Sequence, residues 1–427
     1  MTTRPFKAWP ALCFLALTTQ APAADSALDT QASEKGIPVT ELRVFAEVME
    51  RIRSAYIDEV SDRELLESAI RGMLYELDPH SAYLTPDQFD DLQVTTTGEF
   101  GGLGIEVTME NGFVKVVAPL DETPASQAGL QAGDLILKID DTFVKGKTLA
   151  EAVSLLRGPV DSEVVLSVLS EGADKPRRVT LVRDRIQLRS VRSEMIEPGY
   201  GYLRVTQFQN NTGADAERHL NALLDKGQLK GLVLDLRNNP GGVLNAAVQL
   251  ADLFIDQGLV VYTQGRAEGT RTNYSATPGD LLGGVPMVVL VNAGSASASE
   301  IVAGALQDQE RAILVGQRTF GKGSVQTILP LHGDRGLKLT TARYYTPGGR
   351  SIQAEGIHPD IITNVARVEL NTDQDNLREA DLPGHLKNSQ DSASETKSDL
   401  SLAERDYTLY EGLSILKGIY LSRRSGR

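Results

Sequence analysis

Cysteine is almost absent from this chain, and its one cysteine lies in a segment that we expect to be removed. Cys13 is the only cysteine among 427 residues. It falls in an N-terminal stretch that has basic residues, then a short apolar run, then Ala-Pro-Ala at 21–23, which is the pattern of a cleaved signal peptide. Without residues 1–23, the mature chain has no disulfide, no thiol nucleophile and no thiolate metal ligand.

Long apolar runs and a surplus of positive charge are missing as well. The apolar part of the leader is too short to cross a bilayer, and Pro10 interrupts it, so we expect no integral membrane span. The formal net charge is −14 at pH 7, which argues against binding to nucleic acid. An exported chain without cysteine suits an oxidising compartment, and we therefore predict a periplasmic protein.

Histidine is scarce, and its distribution gives no sign of a metal site. The histidines do not cluster, and none belongs to an H-E-x-x-H motif; they are His80, His219, His332, His358 and His385. We therefore expect no bound metal, and we predict that the protein uses no cofactor.

Apolar residues recur at helical spacing near both ends of the mature chain. The stripe from Leu42 to Tyr56 and the leucine pattern at 402–420 each leave one apolar face to be covered. Either the rest of the chain or a second subunit can cover it. We predict a homo-oligomer in which both helices are contacts. The terminal helix is also a candidate docking site for an adaptor protein.

The central part of the chain divides into two regions of different pattern. Residues 98–184 are rich in strands, whereas at 199–365 short apolar strands alternate with helical patterns, which is typical of an α/β core. The fold class predicted is therefore α/β (α+β) and multidomain. Its expected parts are a signal peptide at 1–23, a helical region at 24–97, a small β-rich domain at 98–184, the α/β core at 185–368, a flexible linker at 369–400 and a helix at 401–427.

Three serines compete for a catalytic role between a predicted strand and a predicted helix. Ser295, Ser297 and Ser299 lie among small residues that allow a substrate backbone to approach. A serine at a helix N-terminus benefits from the helix dipole, which stabilises a developing oxyanion. N-capping is the ordinary alternative, and we expect one of the three to serve it.

A serine nucleophile needs a base, and Lys322 is a better candidate than any of the five histidines. It follows the predicted strand at 312–315, at the same edge of the sheet as the serines, and no acid adjoins it. A lysine acts as a base only when neutral, which requires burial and no carboxylate partner. Gln326 is placed to orient its amine. The alternatives are an exposed loop lysine and a P-loop, but Gly323 stands where a P-loop needs Ser or Thr.

Five short blocks, in this order, resemble the carboxyl-terminal processing (tail-specific) proteases. They are Leu-Asp-Pro-His-Ser-Ala-Tyr-Leu at 77–84, Leu-Asp-Leu-Arg-Asn-Asn-Pro-Gly-Gly at 234–242, Ser-Ala-Ser-Ala-Ser-Glu at 295–300, Phe-Gly-Lys-Gly-Ser-Val-Gln at 320–326 and Tyr-Thr-Pro-Gly-Gly-Arg-Ser-Ile at 345–352. The likeness extends from about residue 42 to 360. It implies a ClpP/crotonase-like protease core, N-terminal helices, an inserted PDZ domain and a C-terminal helix.

The resemblance also assigns roles to individual residues. It implies that Ser297 is the nucleophile, Lys322 the general base and Gln326 the residue that orients the lysine. The amide of Ala298 and one amide from Gly241 or Gly242 would form the oxyanion hole. Glu300 belongs to the motif, and we expect it to be structural.

The region at 98–184 is similar to a PDZ domain. Its expected carboxylate-binding loop consists of Gly102, Leu103, Gly104 and Ile105. In such a loop successive amides bind a carboxylate, and the next strand accepts a peptide as an added strand. Arg157, at the end of the predicted PDZ helix, is a candidate for coupling this domain to the core, although a solvated helix-terminal cation is the simpler interpretation.

The predicted function is a periplasmic serine endopeptidase that binds carboxyl-terminal protein tails through its PDZ domain and cleaves through an acyl-enzyme. Its partners are protein substrates with accessible carboxyl ends. The alternative is a PDZ scaffold or chaperone that binds tails without cutting them.

Overall fold

The computed structural model describes residues 38–120, 122–364, 383 and 398–425. The predicted signal peptide and most of the predicted linker lie outside these residues. The chain divides into two units, Met1–Ala69 and Ile70–Arg427. We describe each unit by itself.

The described part of the first unit consists of helix α1 (Val39–Ala55) and the beginning of α2 (Asp62–Tyr75). The N–H and hydroxyl of Ser61 both donate to Glu64, at 3.0 and 2.9 Å, so a capping box starts α2. No residue of α1 is buried, and five of its large apolar side chains are exposed; they are Val39, Leu42, Val44, Phe45 and Val48.

The first part of the second unit is mostly antiparallel sheet. Its elements are β1 (Ala82–Leu84), α3 (Pro86–Thr97), β2 (Glu99–Gly102), β3 (Ile105–Glu110), β4 (Phe113–Pro119), α4 (Pro124–Gln127), β5 (Leu135–Ile139), β6 (Thr142–Phe143), α5 (Leu149–Leu156), β7 (Glu163–Leu169), β8 (Arg177–Val182) and β9 (Asp184–Gln187). The sheet order is β3-β4-β5-β7-β8, with β6 on β5, and β2 pairs with β9. This sheet has its own core, in which Val114, Ile136 and Leu166 are fully buried. Strand β3 lies at its edge.

The second part carries the α/β core. Its elements are β10 (Val191–Glu197), β11 (Tyr200–Val205), α6 (Thr212–Leu224), β12 (Gly231–Asp235), α7 (Leu244–Asp252), β13 (Leu259–Gly265), β14 (Thr272–Ser275), β15 (Met287–Val291), α8 (Ala298–Asp308), β16 (Ile313–Gly316), β17 (Ser324–Leu331), β18 (Arg335–Tyr345), β19 (Ile361–Ile362), α9 (Ser398–Arg405) and α10 (Tyr407–Ser425). The main sheet runs β10-β11-β12-β15-β16-β19 and is parallel except for β10.

The parallel strands bring the predicted site segments together. Strands β12, β15 and β16 are neighbours, and their carboxyl ends meet at one edge of the sheet. The Asn-Asn-Pro-Gly-Gly turn, the serine segment and the lysine loop follow these three strands in that order. A second sheet, in which β17 pairs with β18, continues the chain from the lysine loop.

Helices cover both faces of the main sheet. Helices α6, α7 and α8 belong to the largest apolar cluster, on one face. On the other face, Leu413 and Leu416 of α10 are buried against Val233, Val288 and Leu290. Of the two alternatives for the terminal helix, the rest of its own chain therefore covers the buried leucines. Within the described residues, no helix is both long and apolar enough to cross a membrane.

Candidate active site

The three candidate serines differ in what their hydroxyls do. The hydroxyl of Ser295 donates to the Leu236 carbonyl at 2.8 Å, and that of Ser299 donates to the Asn239 carbonyl at 3.0 Å. Both serines are fully buried, whereas Ser297 between them is partly exposed. Ser297 is therefore the serine that a substrate can reach, and the other two connect this segment to the neighbouring turn.

The backbone at Ser297 is strained. Its φ of 56° and ψ of −112° lie in a region that residues other than glycine rarely adopt. Such a conformation costs about 1–3 kcal/mol and persists only where the surroundings impose it. The N–H of Ser297 donates to Glu300 Oε2 at 2.7 Å, which helps to fix the turn at the start of α8.

The carboxylate of Glu300 connects the serine turn to the lysine loop. Besides the Ser297 amide, it accepts the Lys322 amide on the same oxygen at 2.9 Å. Its other oxygen accepts the Thr319 hydroxyl at 2.6 Å and the Gly321 amide at 2.7 Å. The amide nitrogens of Ser297 and Lys322 are therefore no more than two hydrogen-bond lengths apart.

Glu300 is completely buried, and two opposing effects act on its pKa. Burial raises the pKa of the carboxyl, while the hydrogen bonds from Thr319 and from the three backbone amides lower it; the net direction is upward. Because every donor points at the carboxyl oxygens, Glu300 acts as the structural acceptor that the sequence motif led us to expect.

Lys322 is half-buried and has the electrostatic character of a base. Burial lowers the pKa of its ammonium group, and the positive charge of Lys338 lowers it further. The negative charges of Asp78 and Glu300 act in the opposite direction without reversing the shift. A lowered pKa increases the fraction of neutral amine near neutral pH, and only the neutral amine can accept a proton.

The Asp-Pro-His-Ser turn before β1 also belongs to this neighbourhood. Asp78 accepts hydrogen bonds from the amides of His80 and Ser81 at 2.8 Å and from the Ser81 hydroxyl at 2.7 Å. The pKa of His80 is lowered by burial and by the charge of Lys322, so this histidine lies within electrostatic reach of the lysine. Apart from the 77–84 block, the sequence gives no sign that this turn lies near Lys322.

Gln326 lies on β17, close to the lysine loop, with its side chain fixed by hydroxyls. Its amide nitrogen donates to Ser324 Oγ and to Thr340 Oγ1, both at 3.1 Å. With both N–H groups engaged, the side-chain oxygen is the atom through which Gln326 can accept a hydrogen bond from an amine.

The glycine turn after β12 packs directly against Ser297. A Cβ on Gly241 would lie 2.7 Å from Ser297 Cβ and 2.9 Å from the Ala298 nitrogen, so only glycine fits there. The Gly241 amide donates to Asn239 Oδ1 at 2.9 Å. The two hydrogen bonds that connect this turn to Phe208 use the Gly241 carbonyl and the Val243 amide. None of these three hydrogen bonds uses the Gly242 amide.

Asn239 holds this turn against the serine segment and was not singled out from sequence. It is fully buried, and its side chain donates to the Val205 carbonyl at 2.9 Å while accepting the Gly241 amide. Its backbone carbonyl accepts the amide of Ala296 and the hydroxyl of Ser299, both at 3.0 Å. The turn and the serine segment therefore form one hydrogen-bonded unit.

Family models match three successive regions of the chain. A model of peptidase family S41 matches residues 199–363, a PDZ domain model matches 115–170, and a model described as the activating protease CtpB N-terminal domain matches 12–88. The carboxy-terminal-processing protease of Bartonella bacilliformis is 47% identical over 82% of each chain. The carboxyl-terminal-processing protease of Synechocystis sp. is 42% identical over 72% of this chain and 74% of its own.

The chain is a carboxy-terminal-processing protease of peptidase family S41. A solved structure described as a photosystem II D1 C-terminal processing protease is 35% identical, over 76% of this chain and 93% of its own, with a TM-score of 0.45. The S41 match includes the serine turn and the lysine loop. The predicted family and peptidase activity are thereby confirmed, as is the fold class, a mixed α/β chain with a PDZ domain and a C-terminal helix.

In this protease, the predicted carboxylate loop precedes the edge strand β3. Leu103 is buried, and its carbonyl accepts the Ala125 amide at 3.0 Å. The carbonyl of Gly104 accepts the Leu120 amide at 2.8 Å and the Thr123 hydroxyl at 3.1 Å. Gly104 has a φ of 71°, which a glycine adopts without strain.

Arg157 contacts helix α3 of the protease. Its guanidinium donates to Asp91 Oδ1 at 2.8 Å and lies over the ring of Phe100, 4.9 Å from the centroid. Its Nε is buried without a hydrogen-bond partner among the described residues. Arg157 therefore contacts α3 and β2, while 37% of its side chain remains exposed.

A cavity of about 890 Å³ lies away from all these residues, between β10 and α6. Ser193 and His219, both in its lining, form a hydrogen bond of 2.8 Å. Asp215, which lies one turn before His219 and also lines the cavity, is paired with Arg218 and Asn211. Ser193 lies within strand β10, without the helix N-terminus that Ser297 has. The cavity therefore has no counterpart of the serine turn.

Proposed function

We propose that this protease is a periplasmic serine endopeptidase in which Ser297 is the nucleophile and Lys322 the general base. One observation carries the proposal. A single oxygen of the buried Glu300 accepts the backbone amides of both Ser297 and Lys322, so the partly exposed serine and the half-buried lysine share one anchor.

The chemistry follows from these two side chains. Neutral Lys322 accepts the hydroxyl proton of Ser297 as its oxygen attacks the peptide carbonyl. The resulting ammonium then gives the proton to the leaving amine, and an ester to Ser297 remains. Water attacks this ester with Lys322 again as base, which releases the new carboxyl end and restores the serine. Gln326 orients the lysine amine through its side-chain oxygen.

For the oxyanion hole we propose the amides of Ala298 and Gly242. The Ala298 amide belongs to the first turn of α8, where N–H groups lack partners within the helix. Of the two glycines considered, Gly241 already donates to Asn239, whereas Gly242 is left out of the bonds that connect the turn to Phe208. Two such donors stabilise the charge that develops on the substrate oxygen.

Substrate tails would bind the PDZ domain, for which we propose the bounds 98–184. Strand β3 has an unpaired edge, and the loop Gly102, Leu103, Gly104 and Ile105 leads into it. An added peptide strand on β3 would place its terminal carboxylate at that loop. Amidating a substrate's carboxyl end should then raise KM and leave kcat unchanged. Equal KM values for free and amidated tails would contradict tail recognition.

The central experiment compares substitutions in the proposed pair with a matched control pair. Ser297→Ala and Lys322→Arg should each abolish cleavage of an unfolded protein, because guanidinium stays protonated and cannot act as a base. Ser193→Ala and His219→Asn, in the separate cavity, should cleave normally. His80→Asn tests the one histidine within reach of Lys322 and should retain activity.

Activity in Lys322→Arg with loss in His80→Asn would transfer the role of base to the histidine. Tail binding by the wild-type protein without any cleavage would support the scaffold or chaperone alternative instead. Fragments are read by gel and mass spectrometry, and EDTA should not inhibit.

We propose that the protease is exported with its leader removed. We also propose that it self-associates through α1. The support for self-association is the bare apolar face of α1, whereas α10 is covered by its own sheet. Leu42→Glu with Phe45→Glu should reduce the mass found by light scattering, while Leu421→Glu on exposed α10 surface should not. An unchanged mass would leave α1 to another partner, such as an adaptor.

A further inference from the structure

Tyr344 is a buried residue that contacts both the lysine loop and the segment that begins at the serine turn. It lies on β18, its side chain is buried in the apolar cluster that includes Ala298 and Ile301, and only 2% of it is exposed. Its backbone N–H donates to the carbonyl of Gly323, the residue after Lys322, at 3.0 Å. The backbone of Tyr344 therefore fixes the loop that carries the proposed base.

The phenol of the same residue is placed beside the proposed nucleophile. Its oxygen is close enough to Ser297 and Glu300 for both to influence its pKa, which burial raises well above the usual value. The contact with Ser297 falls short of an ordinary hydrogen bond, and no other described residue bonds to this oxygen. A buried hydroxyl without a partner is unfavourable and needs an explanation.

We propose that Tyr344 is a positioning residue for Ser297: its phenol donates a hydrogen bond to Ser297 Oγ when the serine adopts its reactive rotamer. This inference rests on the proposed function. The serine oxygen would then accept from Tyr344 while its own proton points at Lys322. The hydrogen bond strengthens as negative charge develops on the oxygen, so it favours the transition state over the resting enzyme.

The hydroxyl of Tyr344 is suited to this task across the working pH range. Because burial raises the pKa of the Tyr344 phenol above its usual value, the hydroxyl stays protonated and remains a donor near neutral pH. It does not exchange protons with substrate, and Glu300, the other polar group beside it, already accepts four hydrogen bonds. The serine is thus the acceptor left for it.

A purely structural role predicts something different. If only the ring mattered, phenylalanine would serve equally well, because the two rings have nearly the same shape. Removing an unpartnered hydroxyl should even leave the melting temperature unchanged or raise it. Tyr344→Phe therefore separates positioning from packing.

The control is Tyr345→Phe. Tyr345 follows directly on β18 and so points to the opposite face of the strand, where it stacks on Tyr262 with 5.0 Å between ring centroids. Ser297→Ala is assayed in parallel, since its inactivity is the test of the proposed function itself.

For Tyr344→Phe we expect kcat to fall about 10- to 100-fold, the loss typical of a hydrogen bond to a charged group, with KM changed less than about twofold. Labelling of Ser297 by a fluorophosphonate probe should slow by the same factor. The acid limb of the pH profile, which reports Lys322, should not move. Tyr345→Phe should match the wild type in all four measurements.

Wild-type kcat and labelling in Tyr344→Phe would overturn the inference while leaving the proposed function intact. An equal loss in Tyr345→Phe, or a loss accompanied by a lower melting temperature, would also count against it, because the hydroxyl would then be serving the fold. Activity in Ser297→Ala would instead overturn the proposed function.

Discussion

The serine turn and the loop at 102–105 are two short segments with proposed roles in binding, and they are held in different ways. The serine turn is fixed by the buried carboxylate of Glu300, which accepts the Ser297 and Lys322 amides, and by the backbone carbonyl of Asn239, which accepts the Ser299 hydroxyl. The loop at 102–105 is fixed mainly by backbone hydrogen bonds, in which the Leu103 and Gly104 carbonyls accept the amides of Ala125 and Leu120.

This difference sets how each site responds to substitution. A turn that depends on one buried carboxylate loses several hydrogen bonds at once when that carboxylate changes. A loop held by its backbone tolerates most side-chain changes but not a Cβ where the chain passes close to a neighbour. Substitutions that change hydrogen bonding should therefore have the larger effect in the serine turn. In the PDZ loop, the larger effect should come from substitutions that add atoms where a neighbour is close.

The largest effect is expected for Glu300→Gln. The amide is nearly the same size, but its NH₂ group would face donors where the carboxylate accepts four hydrogen bonds. We expect kcat/KM to fall at least about 100-fold and the free energy of unfolding to fall by about 2–4 kcal/mol. Steady-state kinetics and urea unfolding measure the two.

Glu355→Gln is the matched control for Glu300→Gln. The side chain of Glu355 is exposed and forms a 3.6 Å ion pair with Arg318, so its substitution should leave both measurements near wild type. A fully active, stable Glu300→Gln would show that the serine turn does not depend on this carboxylate, and the contrast between the two sites would disappear.

The second effect is expected in the PDZ loop. An added Cβ at Gly104 would lie 2.3 Å from Thr123 Cγ2, whereas one at Gly112, which also has a positive φ, would meet nothing within 4 Å. Gly104→Ala should raise KM for a substrate with a free carboxyl end about tenfold and leave cleavage of an amidated short peptide unchanged. Gly112→Ala, which carries the same backbone strain without the clash, should bind tails normally; equal KM values for the two variants would refute the loop's role.

The third effect concerns pH and tests how Lys322 is tuned. The pKa of Lys322 is lowered by burial and by Lys338, so removing the charge of Lys338 should raise it. Because only the neutral amine is active, Lys338→Gln should move the acid limb of kcat/KM to higher pH, by about 0.3–1 unit. Lys226→Gln, at a lysine that has no part in this effect, is the control. A shift to lower pH would contradict Lys322 as the titrating base.

The smallest effect is expected for Arg157→Ala. Its partner Asp91 is largely exposed, and exposed ion pairs contribute about 0–1 kcal/mol. Stability should change within that range, as it should for Asp91→Ala. If Arg157 couples the PDZ domain to the core, kcat for protein substrates should fall while cleavage of a short peptide does not. Equal behaviour with both substrates would reduce Arg157 to a surface contact.

Much of this site follows from local sequence, because its chemistry lies in short segments after strands. The strand–turn–helix pattern around Ser297 places the serines at a sheet edge, and the resemblance adds one amide from Gly241 or Gly242 to the expected oxyanion hole. Local pattern left Ser295, Ser297 and Ser299 as equals. The resemblance selects Ser297, but the physical difference between the three lies in the carbonyls of Leu236 and Asn239, which engage the other two hydroxyls and which no spacing rule connects to them.

The remaining features depend on contacts between distant parts of the chain. Tyr344 meets Ser297 across 47 positions, and the turn at Asp78 reaches Thr340 through the Ser81 hydroxyl. Helix α10 illustrates the same limit. Its leucine pattern is the same whether its own sheet or another subunit covers it, and only the packing on Val288 and Leu290 decides.

The positive φ of Ser297 has an evolutionary consequence. Glycine adopts that conformation without strain, so Ser297→Gly would be more stable than the functional enzyme, whereas Ser297→Ala would keep the strain. Selection for cleavage therefore works against selection for stability at this one position. In a lineage where cleavage no longer matters, we expect drift toward glycine here, and a relative that carries glycine should have kept its fold and lost its chemistry.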